Sequence, residues 1–195
     1  DLLGHQLETV RQLDALIAED FKRFEPYAAQ IHAAGSVAVE ECVNRRSLMV
    51  FAALLHDSGK SRTGRLMQGR ITFHGHEQAG AAINRTIARR IGLGRTAQRM
   101  VCGLTLEHMR LLHLSLQKTV TQRAQIRLIR DCEDIFWELL PLALADRLAA
   151  GDADEEGAAA VQRLAVALAR QRCTPAYADR RKPLLTGGDV RRVLA

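Results

Sequence analysis

A histidine and an aspartate stand side by side after an apolar run, and together they could bind a metal ion. His56-Asp57 follows the apolar residues 48–55 and precedes Ser58-Gly59-Lys60. Neighbouring residues on a helix point about 100° apart, so one turn can offer an imidazole and a carboxylate to the same ion. The apolar run predicts a buried helix, which would hold both side chains on a rigid element.

The donor types narrow the choice of metal and suggest its use. Imidazole nitrogen together with carboxylate oxygen suits Mn²⁺, Fe²⁺, Co²⁺, Ni²⁺ or Zn²⁺, and Mg²⁺ less readily. Such an ion lowers the pKa of a bound water towards neutrality and stabilises negative charge on a reacting oxygen. By itself, a His-Asp pair is weak evidence for a divalent metal of undetermined identity, and its weight comes from polar residues elsewhere in the sequence.

Other polar residues are spread along the chain at positions that need a common explanation. They are His5, His76, Glu77, Glu107, His108 and Asp146. Asp146 lies within the apolar segment 142–150, where a carboxylate is costly unless it is paired or bound to a metal. Taken singly, each has a simpler explanation, since lone histidines on helices are mostly surface or core residues and Asp146 could pair with Arg147. Taken together, they favour one site.

The elements that must position these residues are predicted to be helices. Leucine, alanine, arginine and glutamate dominate, and runs of β-branched residues are scarce, which predicts an all-α protein. Apolar spacing and glycine or proline breaks predict helices that begin near His5 and at Pro26, and further helices at 46–57, 76–91, 95–107, 121–131, 134–151 and 155–172. The apolar stripe after Pro26 (Ile31, Val37, Val39, Val43) is weak. Residues 62–73 are predicted to form a loop with a short extended piece at 70–73.

Composition sets limits on the class of protein. The longest apolar run is about eight residues, far short of a membrane span, and no charged-then-apolar leader precedes it. The four cysteines (Cys42, Cys102, Cys132, Cys173) show no C-x-x-C spacing, which favours reduced thiols. We therefore expect a cytoplasmic protein with no membrane partner.

Net charge indicates the kind of partner. The chain carries a net charge of +6, and arginine supplies most of the positive charge. A basic surface attracts phosphate-bearing molecules, which favours a nucleotide or nucleic-acid partner. The simpler alternative is an arginine-rich helical surface with no such partner, and the acidic residues within 152–156 argue against a uniform polyelectrolyte binder.

The pattern H … HD … H … H … D resembles the HD-domain metal-dependent phosphohydrolase superfamily. More narrowly, the chain resembles the C-terminal body of the tRNA nucleotidyltransferase/poly(A) polymerase (CCA-adding) family. The strings that carry this resemblance are 52–60 (Ala-Ala-Leu-Leu-His-Asp-Ser-Gly-Lys), 69–77 (Gly-Arg-Ile-Thr-Phe-His-Gly-His-Glu), 107–110 (Glu-His-Met-Arg), 143–146 (Ala-Leu-Ala-Asp) and 182–190 (Lys-Pro-Leu-Leu-Thr-Gly-Gly-Asp-Val).

The resemblance implies a domain plan. Residues 1–151 would form the HD domain, an all-α bundle, and residues 152–195 a helical extension ending in a short, looser tail. The nucleotide-adding head, with its Gly-Ser and Asp-x-Asp motifs, is not among these residues. We therefore expect a fragment of a longer protein.

The resemblance also implies which residues bind the metal. His5, His56, Asp57 and Asp146 would be the core ligands, and His76 and His108 would complete the pocket by binding a second metal or the phosphate. His32 is an alternative to His5, because it lies 24 residues before His56, a spacing that some members show. The residues around His5 are more similar to the family's opening helix. The family often has His-His where this chain has Glu107-His108, so Glu107 is not assumed to be a ligand.

The implied function is hydrolysis of phosphoesters in nucleotides or at RNA 3′ ends. Asp57 would also orient the attacking water, and Lys60 and Arg110 would bind the phosphate, since both are close to ligands in sequence. Ser58-Gly59-Lys60 replaces the acidic pair of the guanosine tetraphosphate hydrolases, and the Gly-Tyr-Pro string of the cyclic-dinucleotide branch is absent. The alternative is a non-catalytic body that binds tRNA and supports a separate nucleotidyltransferase head. The oligomeric state is open.

Overall fold

A computed structural model describes residues 1–151, 155–180 and 191 of the chain. Its helices are α1 (Leu2–Ala18), α2 (Ala28–Ser36), α3 (Arg45–Leu55), α4 (Lys60–Thr63), α5 (His76–Arg90), α6 (Arg95–Ser115), α7 (Gln122–Asp131), α8 (Phe136–Leu148), α9 (Glu155–Arg172) and α10 (Pro175–Arg180), with 3-10 turns at Lys22–Phe24 and Glu133–Ile135. Two antiparallel strand pairs join them, β1 (Ala38–Glu40) with β2 (Val43–Asn44), and β3 (Arg65–Met67) with β4 (Arg70–Thr72). The prediction of an all-α protein is confirmed.

Helix α8 is the centre of the bundle. Its residues are buried from Glu138 to Asp146, and it packs against α1, α2, α3, α6 and α9. A helix that is apolar on all sides needs such a position, because no face of it can be left in water at low cost. The consequence is that Asp146, in the last turn of α8, is held where side chains of α1, α6 and the turn after α3 can reach it.

Side-chain caps mark where several helices begin. The Asp1 carboxylate accepts a hydrogen bond from Leu3 N (3.2 Å), and Asn44 Oδ1 accepts one from Ser47 N (2.9 Å). A cap of this kind is worth about 1 kcal/mol, because it pairs an otherwise unpaired N–H group of the first turn. The Asn44 cap fixes the start of α3 and thereby the position of the turn that follows it.

Several predicted boundaries differ from the structure. The helix predicted at 46–57 is observed as α3, which ends at Leu55, so His56 and Asp57 lie in the turn after it. Helix α2 ends at Ser36, and Val39 and Val43 lie in β1 and β2, where β-branched residues are more favourable than in a helix. Helix α6 continues to Ser115, so His108 lies inside a helix and not at its end. The extended piece predicted at 70–73 is observed as β4, and its partner β3 was not predicted.

The structure tests only some of the expectations for the C-terminal part of the chain. The 182–190 string and the predicted tail lie outside the described residues. The division of the chain at residue 151 stays a prediction; α9 packs on α6 and α8. Among the described helices, none combines the length and the apolar character needed to cross a bilayer.

Candidate metal centre

The structure brings six polar side chains together from five segments. They are His5 on α1, His56 and Asp57 in the turn after α3, His76 at the start of α5, His108 on α6 and Asp146 on α8. We call them the Asp57 cluster. His56 and His108 are 0% exposed and Asp57 is 1% exposed, so the middle of the cluster is closed to bulk water.

Three of the histidines are held in the same way. In each ring, Nδ1 contacts the backbone carbonyl three residues earlier, and the bonds are His56 to Ala53 O (2.7 Å), His76 to Phe73 O (2.9 Å) and His108 to Thr105 O (2.7 Å). A carbonyl oxygen can only accept, so Nδ1 must carry the proton and donate it. Nε2 of each ring is thereby left to face the cluster, which is the arrangement found for histidines that bind metals.

One side of the cluster surrounds the Oδ2 atom of Asp57. His5 Nε2 lies 3.6 Å from this atom and 2.9 Å from Asp146 Oδ1. His56 Nε2 lies 3.4 Å from Asp57 Oδ2 and 3.3 Å from Asp146 Oδ1. Two imidazole nitrogens and two carboxylate oxygens thus face one small volume.

The other side of the cluster surrounds the Oδ1 atom of Asp57. His76 Nε2 lies 3.3 Å from it and His108 Nε2 lies 3.6 Å from it. The two imidazole nitrogens are 3.4 Å apart. Asp57 therefore lies between two groups of donor atoms and presents one carboxylate oxygen to each.

The donor atoms fit a divalent ion. Ligands placed about 2.0–2.2 Å from a metal are separated from one another by roughly 3.0–3.5 Å, close to the spacings in both groups. Among the described residues, neither His56 Nε2 nor Asp57 Oδ1 has a hydrogen-bond partner, although both atoms are buried. Leaving such an atom unpaired costs about 1–3 kcal/mol, so the cluster is better matched to a bound cation than to the protein alone.

The charges of the cluster also favour a bound cation. Burial by itself would lower the pKa of His56, but Asp146 and Asp57 outweigh burial and raise that pKa to about 10. Burial would raise the pKa of Asp57, but contacts with His108 and His56 hold it well below its usual range. The cluster thus favours positive charge within it, which a metal ion can supply in place of a proton.

Comparison with known proteins agrees with this geometry. The family model described as "HD domain" matches residues 5–151. The chain belongs to the HD domain family. The matched range starts at His5 and includes all six residues of the Asp57 cluster.

One curated relative is similar to most of this chain. An A-adding tRNA nucleotidyltransferase of Deinococcus radiodurans is 31% identical over 170 residues. The match covers 82% of this chain and 37% of that protein, so this chain spans little more than a third of the relative's length. The matched segment is therefore one part of a longer protein in that relative.

A small network positions the turn that carries His56 and Asp57 in this HD domain. Asn84 on α5 is 0% exposed, and its amide donates to Leu55 O (2.9 Å) and Thr105 Oγ1 (2.8 Å) while its oxygen accepts from Ser58 Oγ (2.9 Å). These bonds tie the end of α3 to α5 and α6. Three of the five segments that supply the cluster are thereby joined.

Gly59 allows the turn to approach α5 closely. A Cβ atom at this position would lie 2.0 Å from His76 O and 2.5 Å from Gly80 N, so a side chain does not fit without movement of the backbone. The turn and the start of α5 are in direct backbone contact. This contact sets the distance between Asp57 and His76.

Lys60 lies at the open side of the cluster. Its ammonium forms an ion pair with Asp57 Oδ2 and lies 5.7 Å from the centroid of the Phe73 ring. A cavity of about 300 Å³ opens here and is lined by His5, Asp57, Lys60 and Phe73, among others. Lys60 thus lies at the mouth of the site, and its role in phosphate binding stays a prediction.

Two predicted or considered residues are not in the cluster. Arg110 lies about 200° around α6 from His108. Its guanidinium contacts Glu107 Oε2 (3.1 Å) and Asp131 Oδ2 (2.7 Å). His32 is exposed on α2. The predicted phosphate contact of Arg110 was based on closeness in sequence, which does not bring a side chain to the same face of a helix.

The positioning residues were not predicted. Asn84 lies between Ile83 and Arg85 on α5, and its residue type alone does not mark it as buried. Gly59 was noted only as part of the sequence that follows His56-Asp57. A signal existed for Asn84, since positions 76, 80, 84 and 88 recur every four residues on one face of α5, all of which are buried.

Proposed function

We propose that this chain is a metal-dependent phosphohydrolase that acts on phosphoesters of nucleotides or RNA 3′ ends. The observation that carries the proposal is the convergence of four imidazole Nε2 atoms and two carboxylates around buried atoms that have no hydrogen-bond partner among the described residues. Membership of the HD domain family supports the same chemistry.

We assign the residues of the cluster to two binding positions. His5, His56, Asp57 and Asp146 would hold one divalent ion, and Asp57 with His76 and His108 would hold a second ion or the phosphate. A bound ion lowers the pKa of water and stabilises negative charge on phosphoryl oxygens. Asp57 would also orient a water molecule, and the Lys60 ammonium would bind a phosphoryl oxygen by a charge-assisted hydrogen bond.

The size of the opening supports a terminal phosphoester as the substrate. Its volume of about 300 Å³ is at the low end of the range for small-molecule sites. A nucleotide unit or the end of an RNA chain is compatible with such an opening, whereas the interior of a folded RNA is not. The relative that acts as an A-adding tRNA nucleotidyltransferase supports the 3′ end of tRNA as the first substrate to test.

The test is an Asp57→Asn variant, with Asp14→Asn on the exposed face of α1 as its control. Asparagine keeps the shape of the side chain but cannot present a carboxylate oxygen to each of the two groups of donor atoms. We therefore expect loss of stoichiometric metal. Hydrolysis of bis-p-nitrophenyl phosphate and of 2′,3′-cyclic nucleotides should be at least roughly 1,000-fold slower. Metal analysis and absorbance assays measure both effects. Unchanged hydrolysis by Asp57→Asn contradicts the proposal.

A second candidate function is the non-catalytic, tRNA-binding body. The ion pair of Lys60 with Asp57 favours it, because the ammonium already supplies a cation to the carboxylate that an ion would bind. In that case the protein as isolated binds RNA, contains no stoichiometric transition metal and does not hydrolyse either substrate. Metal content and turnover, measured on the same sample, separate the two functions.

A further inference from the structure

The end of α5 and the start of α6 carry a high density of positive charge. Between Glu77 and Glu107 the sequence contains five arginines and no acidic residue. The arginines are Arg85, Arg89, Arg90, Arg95 and Arg99, and all five are exposed. We call this group the arginine tip. It plays no part in the Asp57 cluster, so it needs a separate explanation.

The helical spacing groups these arginines. Arg85 and Arg89 are one turn apart on α5, and Arg95 and Arg99 are one turn apart on α6, so each pair shares a face of its helix. Arg85, Arg95 and Arg99 line one shallow depression of about 520 Å³ together with Gln98. Guanidinium groups of the two helices thus face the same space.

The charge of the arginine tip is not neutralised within the protein. Among the described residues, none of the five arginines forms an ion pair with a carboxylate. Glu40 lies close to the tip, but its carboxylate accepts a hydrogen bond from Gly94 N (2.8 Å). By contrast, Arg110 and Arg130 both contact Asp131, at 2.7 and 3.1 Å.

We propose that the arginine tip is a binding surface for the phosphate backbone of RNA. A small anion is retained by buried donors, and none of these arginines is buried, whereas a chain of phosphates binds to several exposed guanidinium groups at once. Each such contact releases condensed counterions from the nucleic acid, so binding by these guanidinium groups would depend on salt. The choice of RNA as the polyanion rests on the proposed function, while the surface itself does not.

The distance from the metal centre limits which RNA can use both sites. Arg85 is nine residues from His76 on α5, and Arg99 is nine residues from His108 on α6, which corresponds to about 14 Å along each helix axis. Arg89 and Arg95 are about 20 Å from the same histidines. At roughly 3.4 Å per nucleotide in a helical strand, an RNA that reaches both sites needs about four to six nucleotides between them.

The test measures RNA affinity with variants of the whole chain. The triple variant Arg85→Ala, Arg95→Ala and Arg99→Ala removes the depression's charge. Its control, Arg123→Ala, Arg163→Ala and Arg170→Ala, removes the same charge from exposed positions on α7 and α9. A third variant replaces the three tip arginines by lysine. Because lysine keeps the charge, a loss of RNA affinity in this variant would come from altered folding or packing at these positions.

The expected effect is large and depends on salt. Each phosphate contact to a single strand contributes about 0.7 to the slope of log affinity against log salt. Three lost contacts therefore lower the slope by about 2 and the affinity by roughly 100-fold at about 0.1 M salt, in fluorescence anisotropy with a labelled single-stranded RNA of roughly 20 nucleotides. The lysine variant and the control are expected to stay within about threefold of the parent.

The outcomes decide the proposal whether or not the protein is an enzyme, because anisotropy needs no turnover. Equal losses in the tip variant and the control show that only net charge matters, and they overturn the proposal. An unchanged RNA affinity in the tip variant also overturns it, as does binding of the tip to phosphatidylserine vesicles in preference to RNA. Where the parent hydrolyses bis-p-nitrophenyl phosphate, the tip variant is expected to do so at the same rate.

Discussion

Helix α6 contributes to two polar groups that differ in one respect. His108 belongs to the Asp57 cluster, whereas Glu107 and Arg110, one turn apart on another face, belong to a second group with Asp131 and Cys132, here called the Arg110 network. Both groups contain carboxylates and positively charged or ionisable side chains. They differ in whether the protein itself satisfies the polar atoms.

The Arg110 network is satisfied internally. The guanidinium contacts a carboxylate on each side, and the Cys132 thiol donates to Glu107 Oε2 (3.7 Å). Burial and the neighbouring Glu107 carboxylate raise the pKa of Cys132 to about 12, so the thiol keeps its proton. In the Asp57 cluster, buried donor atoms are left without partners among the described residues. A gathering of charged side chains does not by itself indicate a metal site, whereas unfilled and preoriented donor atoms do.

The largest expected effect comes from removing a donor on the cluster side of α6. His108→Ala leaves the second donor group with His76 and Asp57 Oδ1, so we expect metal affinity to fall more than about 100-fold and hydrolysis about 1,000-fold. Metal titration and the shift in melting temperature on adding metal measure the first effect without turnover. His113→Ala, on the exposed surface of the same helix, is the control. Equal effects of the two substitutions contradict the comparison.

Residue type and sequence context drew attention to His56, Asp57 and Asp146, and the family resemblance supplied the full set of metal-binding candidates. A carboxylate at position 146 in an apolar segment and a His-Asp pair after a buried run are costly in any fold that does not use them, so they stand out in the sequence itself. The helical architecture was also predictable, because α6 and α9 bury apolar residues at three- and four-residue spacing and α8 is apolar along most of its length. The strands β1, β2 and β3 are two or three residues long, too short for a periodic signal to appear.

The contacts that hold the site in place could not be predicted in the same way. Asn84 bonds to residues 21 to 29 positions away in sequence, and Gly59 is needed because the backbone of α5 passes close to it. Such constraints exist only once the helices are packed. Arg110 was expected to bind the phosphate because it is close to His108 in sequence. The period of an α-helix alone places it away from the His108 face.

A smaller effect is expected from the Asn84 network, which supports the turn that carries His56 and Asp57. Asn84→Ala removes the bonds to Leu55 O, Ser58 Oγ and Thr105 Oγ1 and leaves buried polar groups unpaired, so we expect a loss of about 2 kcal/mol in the free energy of unfolding. Because the turn holding Asp57 then loses its support, metal affinity should fall about tenfold. Denaturant unfolding in chelator and metal titration measure the two effects separately.

Thr86→Ala, at an exposed position of α5, is the control for Asn84→Ala. The comparison predicts that the control changes neither quantity by a measurable amount. A variant at Asn84 that loses stability but keeps full metal affinity contradicts the positioning role and leaves Asn84 as a packing residue.

The smallest effect is expected in the Arg110 network. Arg110→Ala removes two partly exposed ion pairs, so it should cost less than about 1 kcal/mol in the free energy of unfolding and leave metal affinity and hydrolysis of bis-p-nitrophenyl phosphate unchanged. The hydrogen bond from Arg110 lowers the pKa of Asp131, so this stabilisation is present above the carboxylate's ordinary pKa and is lost as the pH falls through the lowered one. The stability difference between parent and variant should therefore be largest near neutral pH and shrink in acid. Hydrolysis that falls with Arg110→Ala as far as with His108→Ala would place Arg110 in the phosphate site and remove the distinction between the two faces of α6.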